Sequence, residues 1–284
     1  MPAYFGPGGN SKSFYDMGYK STVDAPRFVR DFGLDAYEYE AGNGISASDD
    51  TFRKIGEKAK EYNIKTSIHA PYYISMSSVE EDKRLNSINY ILQSARAVKA
   101  MGGNRIIVHT GSCGKISREE ALSLALDTMK KSLDALDSEG LSDIHICPET
   151  MGKVNQLGTL DEVMALCSID ERLIPCIDFG HLNARDQGIL KAYEDFENIF
   201  KTIKNKLGED RLRSFHSHFS KIEYSKGGEV RHLTFTDEVY GPNFEPVMEL
   251  CHKYSASPTF ICESAGTQAE DAKAMKDYYW GLFK

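Results

Sequence analysis

Eight residues of the 284-residue chain have the side-chain types and settings from which a polynuclear metal site is built. They are His69 in SIHAP, His109 in IVHTG, Glu149 in CPETMG, Asp178 and His181 in CIDFGH, His216 in FHSHFSK, His232 in EVRH and Glu263 in ICESAG. Imidazole nitrogens with carboxylate oxygens suit Zn²⁺, and also Mn²⁺ or Fe²⁺, because such donors discriminate weakly among divalent ions. The set is large enough for two or three ions. Taken singly, a His or Glu at a strand end is more often a hydrogen-bonded rim residue than a ligand. The inference rests on recurrence: five of eight histidines fall in this setting, whereas His145 opens a strand pattern and His252 lies in a helical one. His218 lies two residues beyond His216 and shares its face, so the sequence leaves open which of the two binds.

Weaker candidates surround this set. Glu38 and Glu40 in AYEYEAG share one strand face and read as a salt-bridged rim in preference to a paired acid/base site. Asn10, Tyr72 and Tyr73 fall in loops where an aromatic ring can stack on a base or sugar. Lys153, Arg185, Lys221 and Arg231 follow strand ends and are candidate phosphate contacts, with solvated surface charge as the competing reading.

The elements that must position these residues recur as a strand followed by a helix, eight times over. The strands expected are Ala3–Pro7, Ala36–Glu40, Lys65–Ala70, Arg105–Thr110, Asp143–Glu149, Ile174–Phe179, Arg213–Phe219 and Thr259–Glu263. Helical spacing runs through Val79–Met101 and Arg118–Glu139, with Gly102 and Gly140 at their C-terminal ends. Alternation of strand and helix requires a parallel sheet with right-handed crossovers, and eight units predict closure into a single (β/α)8 barrel spanning residues 1–284. An open doubly wound sheet is the rival, but the turn Phe5-Gly-Pro-Gly-Gly-Asn10 lacks the spacing of a phosphate-binding glycine loop. In a barrel, side chains from several strands converge at the C-terminal rim. The period of two then predicts small or apolar residues one layer below the ligands: Ser67 under His69, Ile107 under His109, Cys147 under Glu149, Cys176 under Asp178 and Ile261 under Glu263.

Composition narrows the function classes. There is no apolar run of the length that spans a bilayer, and the first residues lack a secretory signal, so a cytoplasmic address is expected with no membrane partner. Against 42 Asp and Glu stand 34 Lys and Arg, a net charge of −8 that repels polyanions at long range and demands a locally basic surface for any nucleic acid. The six cysteines show no C-x-x-C pair and read as reduced, packed thiols.

The motifs IHAPYY, VHTGS, PETMG and DFGH, with the segment from His216 to His232, resemble the endonuclease IV family of apurinic/apyrimidinic endonucleases, which belongs to the xylose-isomerase-like TIM barrels. The resemblance runs over nearly the whole chain. It implies that His69 and His109 ligate one zinc, that Glu149 bridges to a second completed by Asp178, His216 and Glu263, and that His181 and His232 hold a third. An Asp expected two residues before the last His is replaced by Val230, with Glu229 adjacent. Tyr72 matches a loop aromatic that inserts near the abasic nucleotide. The activity implied is hydrolysis of the phosphodiester 5′ to an abasic site in double-stranded DNA, with Glu149 and Glu263 as catalytic carboxylates, Tyr72, Arg231 and Lys221 on the substrate, and no obligatory protein partner. Val230, Glu38 and the acidic charge motivate the alternative, a metal-dependent sugar isomerase or epimerase of the same superfamily. A zinc protein that binds damaged DNA without cutting it is the reading from outside enzymology.

Overall fold

The short β-branched and aromatic runs form eight parallel strands around one axis in the computed structural model, which describes residues 2–283. In chain order these eight are β1 (Tyr4–Pro7), β2 (Ala36–Glu40), β3 (Lys65–His69), β4 (Arg105–Val108), β5 (His145–Pro148), β6 (Cys176–Asp178), β7 (His216–Phe219) and β10 (Thr259–Cys262), with β8 (Lys221–Ser225) and β9 (Gly228–Leu233) forming a separate two-stranded sheet between β7 and β10 in sequence. Continuous ladders join β2-β3-β4-β5 and β6-β7-β10-β1. The seams between these halves close through single parallel bridges, Gly8 to Glu38 on one side and Ile146 to Leu173 and Glu149 to Cys176 on the other. The result is the TIM barrel expected from the strand and helix alternation, and each expected strand is present within a few residues.

The expected helices also form. Glu81–Ala100 and Arg118–Ser138 end just before Gly102 and Gly140, whose φ values of +76° and +66° suit glycine in a reversing turn. Ser117 caps the second helix by accepting a hydrogen bond from the Glu120 amide. Outward-facing strand residues such as Ile68, Ile106, Val108, Ile177 and Phe260 pack with the helices in one continuous core. Inside the barrel, Ile107, Cys147, Ile174 and Cys176 form a separate buried cluster, which is the apolar layer predicted below the rim. All six cysteines are buried and unpaired by disulfides. Among the described residues no helix is long and apolar enough to cross a membrane.

One element departs from the sequence reading. The segment carrying His232, outside the eight expected strands, is strand β9 of an antiparallel hairpin with β8. Ile222 and Gly228 are the hairpin's buried residues, so it lacks the apolar alternation that identifies a half-buried strand.

Closure between β1 and β2 depends on a close backbone approach. A Cβ built on Gly6 would lie 1.8 Å from the Ala36 carbonyl oxygen, and that atom belongs to a neighbouring strand that cannot swing aside. Gly6→Ala is therefore expected to destabilise the barrel by about 3 kcal/mol or more, the upper part of the range for overpacking, read as a lowered urea midpoint with an unchanged slope.

Candidate metal centre

Several overlapping groups of ligand atoms, each with its atoms within 4.8 Å of one another, meet among the described residues; three of them divide the C-terminal rim, and His69, His218 and Glu263 form another that joins the first two. The first is His69 at the end of β3, His109 just past β4 and Glu149 just past β5. Glu149 Oε2 lies 3.4 Å from His69 Nε2 and 3.1 Å from His109 Nε2. The second is Glu149 again, with Asp178, His218 and Glu263; His218 Nδ1 is 3.0 Å from Glu149 Oε1 and 3.4 Å from Glu263 Oε1. The third is His181, Glu229 and His232, with Glu229 Oε2 at 3.4 Å from His181 Nε2 and Oε1 at 3.8 Å from His232 Nε2.

The second group corrects the assignment of His216. Strand register decides between the two histidines: His216 pairs with Cys176 and Thr259, one layer down, whereas His218 pairs with Asp178 and Ile261, level with the ligands. His216 is fully buried with Nε2 3.1 Å from Glu38, below the rim. His218 takes the place expected for it.

The third group explains the Val230 departure. Glu223 pairs with Arg231 and Tyr224 with Glu229, so Val230 is an extra residue bulged out of β9 and half exposed. The bulge lets Glu229 and His232, three apart in sequence, reach the same ligand group. The hairpin is held over the rim by the loop after β5, through Glu229 N–H to Gly152 O at 3.0 Å and Val154 N–H to Gly227 O at 3.1 Å. That loop is itself fixed by Arg185, whose buried guanidinium donates to the carbonyls of Met151, Lys153, Val154 and Gln156. Arg185 is thus a loop clamp and not a phosphate contact.

The electrostatics of these groups suit cations. Glu149 Oε2 and Asp178 Oδ2 are buried acceptors with no hydrogen-bond partner, the kind of orphan that a metal satisfies. Burial opposes the charge on Glu149, yet His218, His109 and His181 hold its carboxyl well below the usual range. Burial pushes Glu263 up to about 8, and repulsion from Glu149, Glu40 and Asp178 adds to this against the pull of His218. Burial disfavours charge on His69, but the Glu149 carboxylate 3.4 Å away and the nearby Glu40 raise it to about 10. His181, opposed by burial and drawn up by Asp178 and Glu149, also reaches about 10. Crowded carboxylates and proton-holding imidazoles are what a ligand set looks like with protons in place of metal charge.

The groups open into a cavity of about 450 Å³ whose wall also includes Tyr72, Met151, Lys153 and Gln156. Tyr72 is more than half exposed and stacks on His109, ring centroids 5.1 Å apart, so it covers the first group without sealing it. Two expected substrate contacts lie elsewhere. The Lys221 ammonium donates to the Asp237 carbonyl in a separate groove, and the Arg231 guanidinium pairs with Glu223 at 2.7 Å on the hairpin surface. Lys153 is the cation on the cavity wall. Asn10 is tied to Thr22 and Tyr37, and the Tyr73 hydroxyl to the Asn43 carbonyl. Neither Glu38 nor Glu40 forms a rim salt bridge with Lys or Arg. Glu38 is buried inside the barrel against Ser67, His216 and His218, and Glu40 Oε1 is buried without a partner. Their alternation in AYEYE signalled a shared inward face, but only the closed barrel shows what they face. A wider cavity of about 670 Å³ at the N-terminal strand ends, lined by Lys65, Arg105 and Arg213, contains none of the three ligand groups.

Residues 26–279 match the family model described as xylose isomerase-like TIM barrel. An uncharacterized protein of Methanocaldococcus jannaschii is 34% identical over 250 residues, covering 88% of this chain and 89% of that protein. A probable endonuclease 4 of Mycoplasma genitalium is 30% identical over 173 residues, covering 58% of this chain and 56% of that protein, so the match spans little more than half of that relative. Among solved structures, a D-tagatose 3-epimerase-like protein superposes with a TM-score of 0.74 at 17% identity, covering 98% of this chain and 97% of that one, a likeness of fold.

Two measurements follow from this geometry. A Cβ on Gly152 would come within 2.7 Å of Glu229 Cβ and 2.8 Å of His181 Cδ2, so Gly152→Ala is expected to lose one equivalent of bound metal and keep the others, as counted by atomic absorption. Because His69 and His181 hold protons up to about 10 in the ion-free protein, loading must release them; affinity should rise with pH from 6 towards 10, with protons released into a weakly buffered solution.

Proposed function

The chain belongs to the family of xylose isomerase-like TIM barrels, and within that family we propose that it is a metal-dependent endonuclease hydrolysing the phosphodiester 5′ to an abasic site in double-stranded DNA. The observation that carries this reading is the sharing of Glu149 between two ligand groups with a third group beside them. A centre built for several cations suits the displacement of a phosphate oxygen, where charge must be neutralised on both the attacking and departing sides.

The donor set fits zinc, with Mn²⁺ or Fe²⁺ as alternatives. Bound there, such ions shield the phosphate and bring the pKa of water towards about 7. The chain's own residues do the positioning. Glu149 presents Oε2 to His69 and His109 and Oε1 to His218, so it would hold ions of the first two groups and orient a water beside them, and Glu263 would complete the second group at the cavity wall. Lys153 supplies the cationic contact to the strand backbone. Tyr72 offers its face to the space a missing base leaves, and a nucleotide without a base costs less to turn out of the helix than an intact one. With a net charge of −8 the protein must rely on these local contacts, which disfavours binding to undamaged duplex.

A sugar isomerase or epimerase is the second reading. It is favoured by the orphaned Oε1 of Glu40 in a side cavity of about 190 Å³ shared with Tyr72, His232 and Glu263, where a sugar hydroxyl would find an acceptor.

Metal counting and turnover on the two substrate classes separate these readings. Purified protein is expected to hold about three equivalents of metal, to nick a duplex with one abasic site on its 5′ side, and to leave ketoses and aldoses unchanged. His109→Ala should reduce nicking by more than the roughly hundredfold typical of losing an outer-shell partner. Fully loaded protein that turns over a sugar and leaves the abasic duplex intact overturns the nuclease reading.

A further inference from the structure

Below the second ligand group lies a carboxylate that the reaction just described does not use. Glu38 projects from β2 into the barrel axis and is fully buried, with one hydrogen-bond partner, Ser67, beside it on β3 and another, His218, across the barrel on β7. Glu38 Oε2 accepts from Ser67 Oγ at 2.6 Å and lies 3.1 Å from His216 Nε2, while Oε1 lies 2.7 Å from His218 Nε2. Strand β2 does not pair with β7, so this contact spans the interior and does not follow from any sheet ladder. A buried carboxylate with no Lys or Arg partner is expensive, and a merely space-filling role for it is served better by an apolar residue. The same His218 ring presents its other nitrogen, Nδ1, to Glu149 and Glu263.

We propose that Glu38 is the positioning residue for His218: it accepts the Nε2–H, fixes the ring's tautomer and orientation, and leaves the Nδ1 lone pair facing the ligand group of Glu149, Asp178 and Glu263. The inference rests on the reading that His218 binds a cation. An ionised carboxylate has only acceptor sites, and the Ser67 hydroxyl reaching Oε2 pins its plane, so the oxygen left for His218 requires a proton on Nε2. A carboxylate behind a ligating histidine also raises the basicity of the coordinating nitrogen. The competing arrangement is explicit in the structure. Cys176, His216 and His218 also have ligand atoms within 4.8 Å of one another, and an ion held there through Nε2 of His218 would break the bond to Glu38. The two arrangements demand opposite protonation of the same nitrogen.

The test uses the full chain loaded with Zn²⁺, labelled with ¹⁵N in histidine, with the His218 signals assigned through a His218→Gln variant. The expected result is a protonated Nε2 and a coordinated Nδ1 at His218. A coordinated, proton-free Nε2 overturns the proposal, as does a thiolate charge-transfer band from Cys176 in the Co²⁺-loaded protein. Glu38→Gln keeps the volume and removes the charge; competition with a chromophoric chelator should show one equivalent bound about 10- to 100-fold more weakly and the others unchanged. Unaltered affinity of all equivalents counts against the proposal, and if that variant does not fold, the labelling experiment on the natural chain decides alone. Loaded protein that fails to nick abasic DNA but shows the expected His218 protonation sinks the nuclease reading and keeps this one; protein that takes up no ion at all sinks both.

Discussion

The costliest feature of this molecule is the concentration of buried carboxylates at one end of the barrel, and Glu149 is its centre. Its side chain is fully enclosed, it faces His69, His109, His181 and His218 at 3.0–3.4 Å, and one oxygen still has no hydrogen-bond partner. A buried charge of this kind is tolerated only where opposite charge compensates it. Protonated imidazoles provide that compensation in the ion-free protein, and divalent cations provide it better, because they also relieve the repulsion that drives Glu263 upward. The groups that could hold an ion are thus the ones whose burial folding must compensate.

The barrel supplies the precision that this arrangement needs. His69, His109, Glu149, Asp178 and Glu263 stand at or just beyond barrel-strand ends, where the ladders fix the backbone above a layer that includes Ile107, Cys147 and Cys176. The hairpin of β8 and β9 is different. It lies outside the barrel ladders, docks through backbone bonds to the loop after β5, and depends on Arg185 to hold that loop. The third ligand group is accordingly assembled from a strand-end helix residue, His181, and two hairpin residues whose spacing is set by a bulge. A lengthened spacing in sequence is absorbed by a local change of backbone geometry, and the ligand geometry survives.

The polar interior beneath the second group gives the site depth. Ser67, Glu38 and His218 form a hydrogen-bonded series from the barrel axis to the rim, with His216 beside it. Positions that pattern reading assigns to packing thus include charged groups whose partners are themselves at the centre.

The fold, and the meeting of seven of the eight anticipated residues at one end of it, were legible in the amino-acid order because both depend on local regularities: a period of two in strands, a period near 3.6 in helices, and polar residues placed just where strands end. The order of residues could not choose between His216 and His218, since a spacing of two keeps both on one face and only the register of β7 against β6 and β10 sets their depth. It also could not show that Glu38 meets His218 across the barrel, that Val230 bulges, or that Lys221 and Arg231 are engaged elsewhere while Lys153 faces the cavity. The Glu38–His218 contact joins segments far apart in the chain and is decided when the strands close around a common axis, while the bulge at Val230 and the Arg231–Glu223 pair are decided by the register of one hairpin, and no local pattern encodes either.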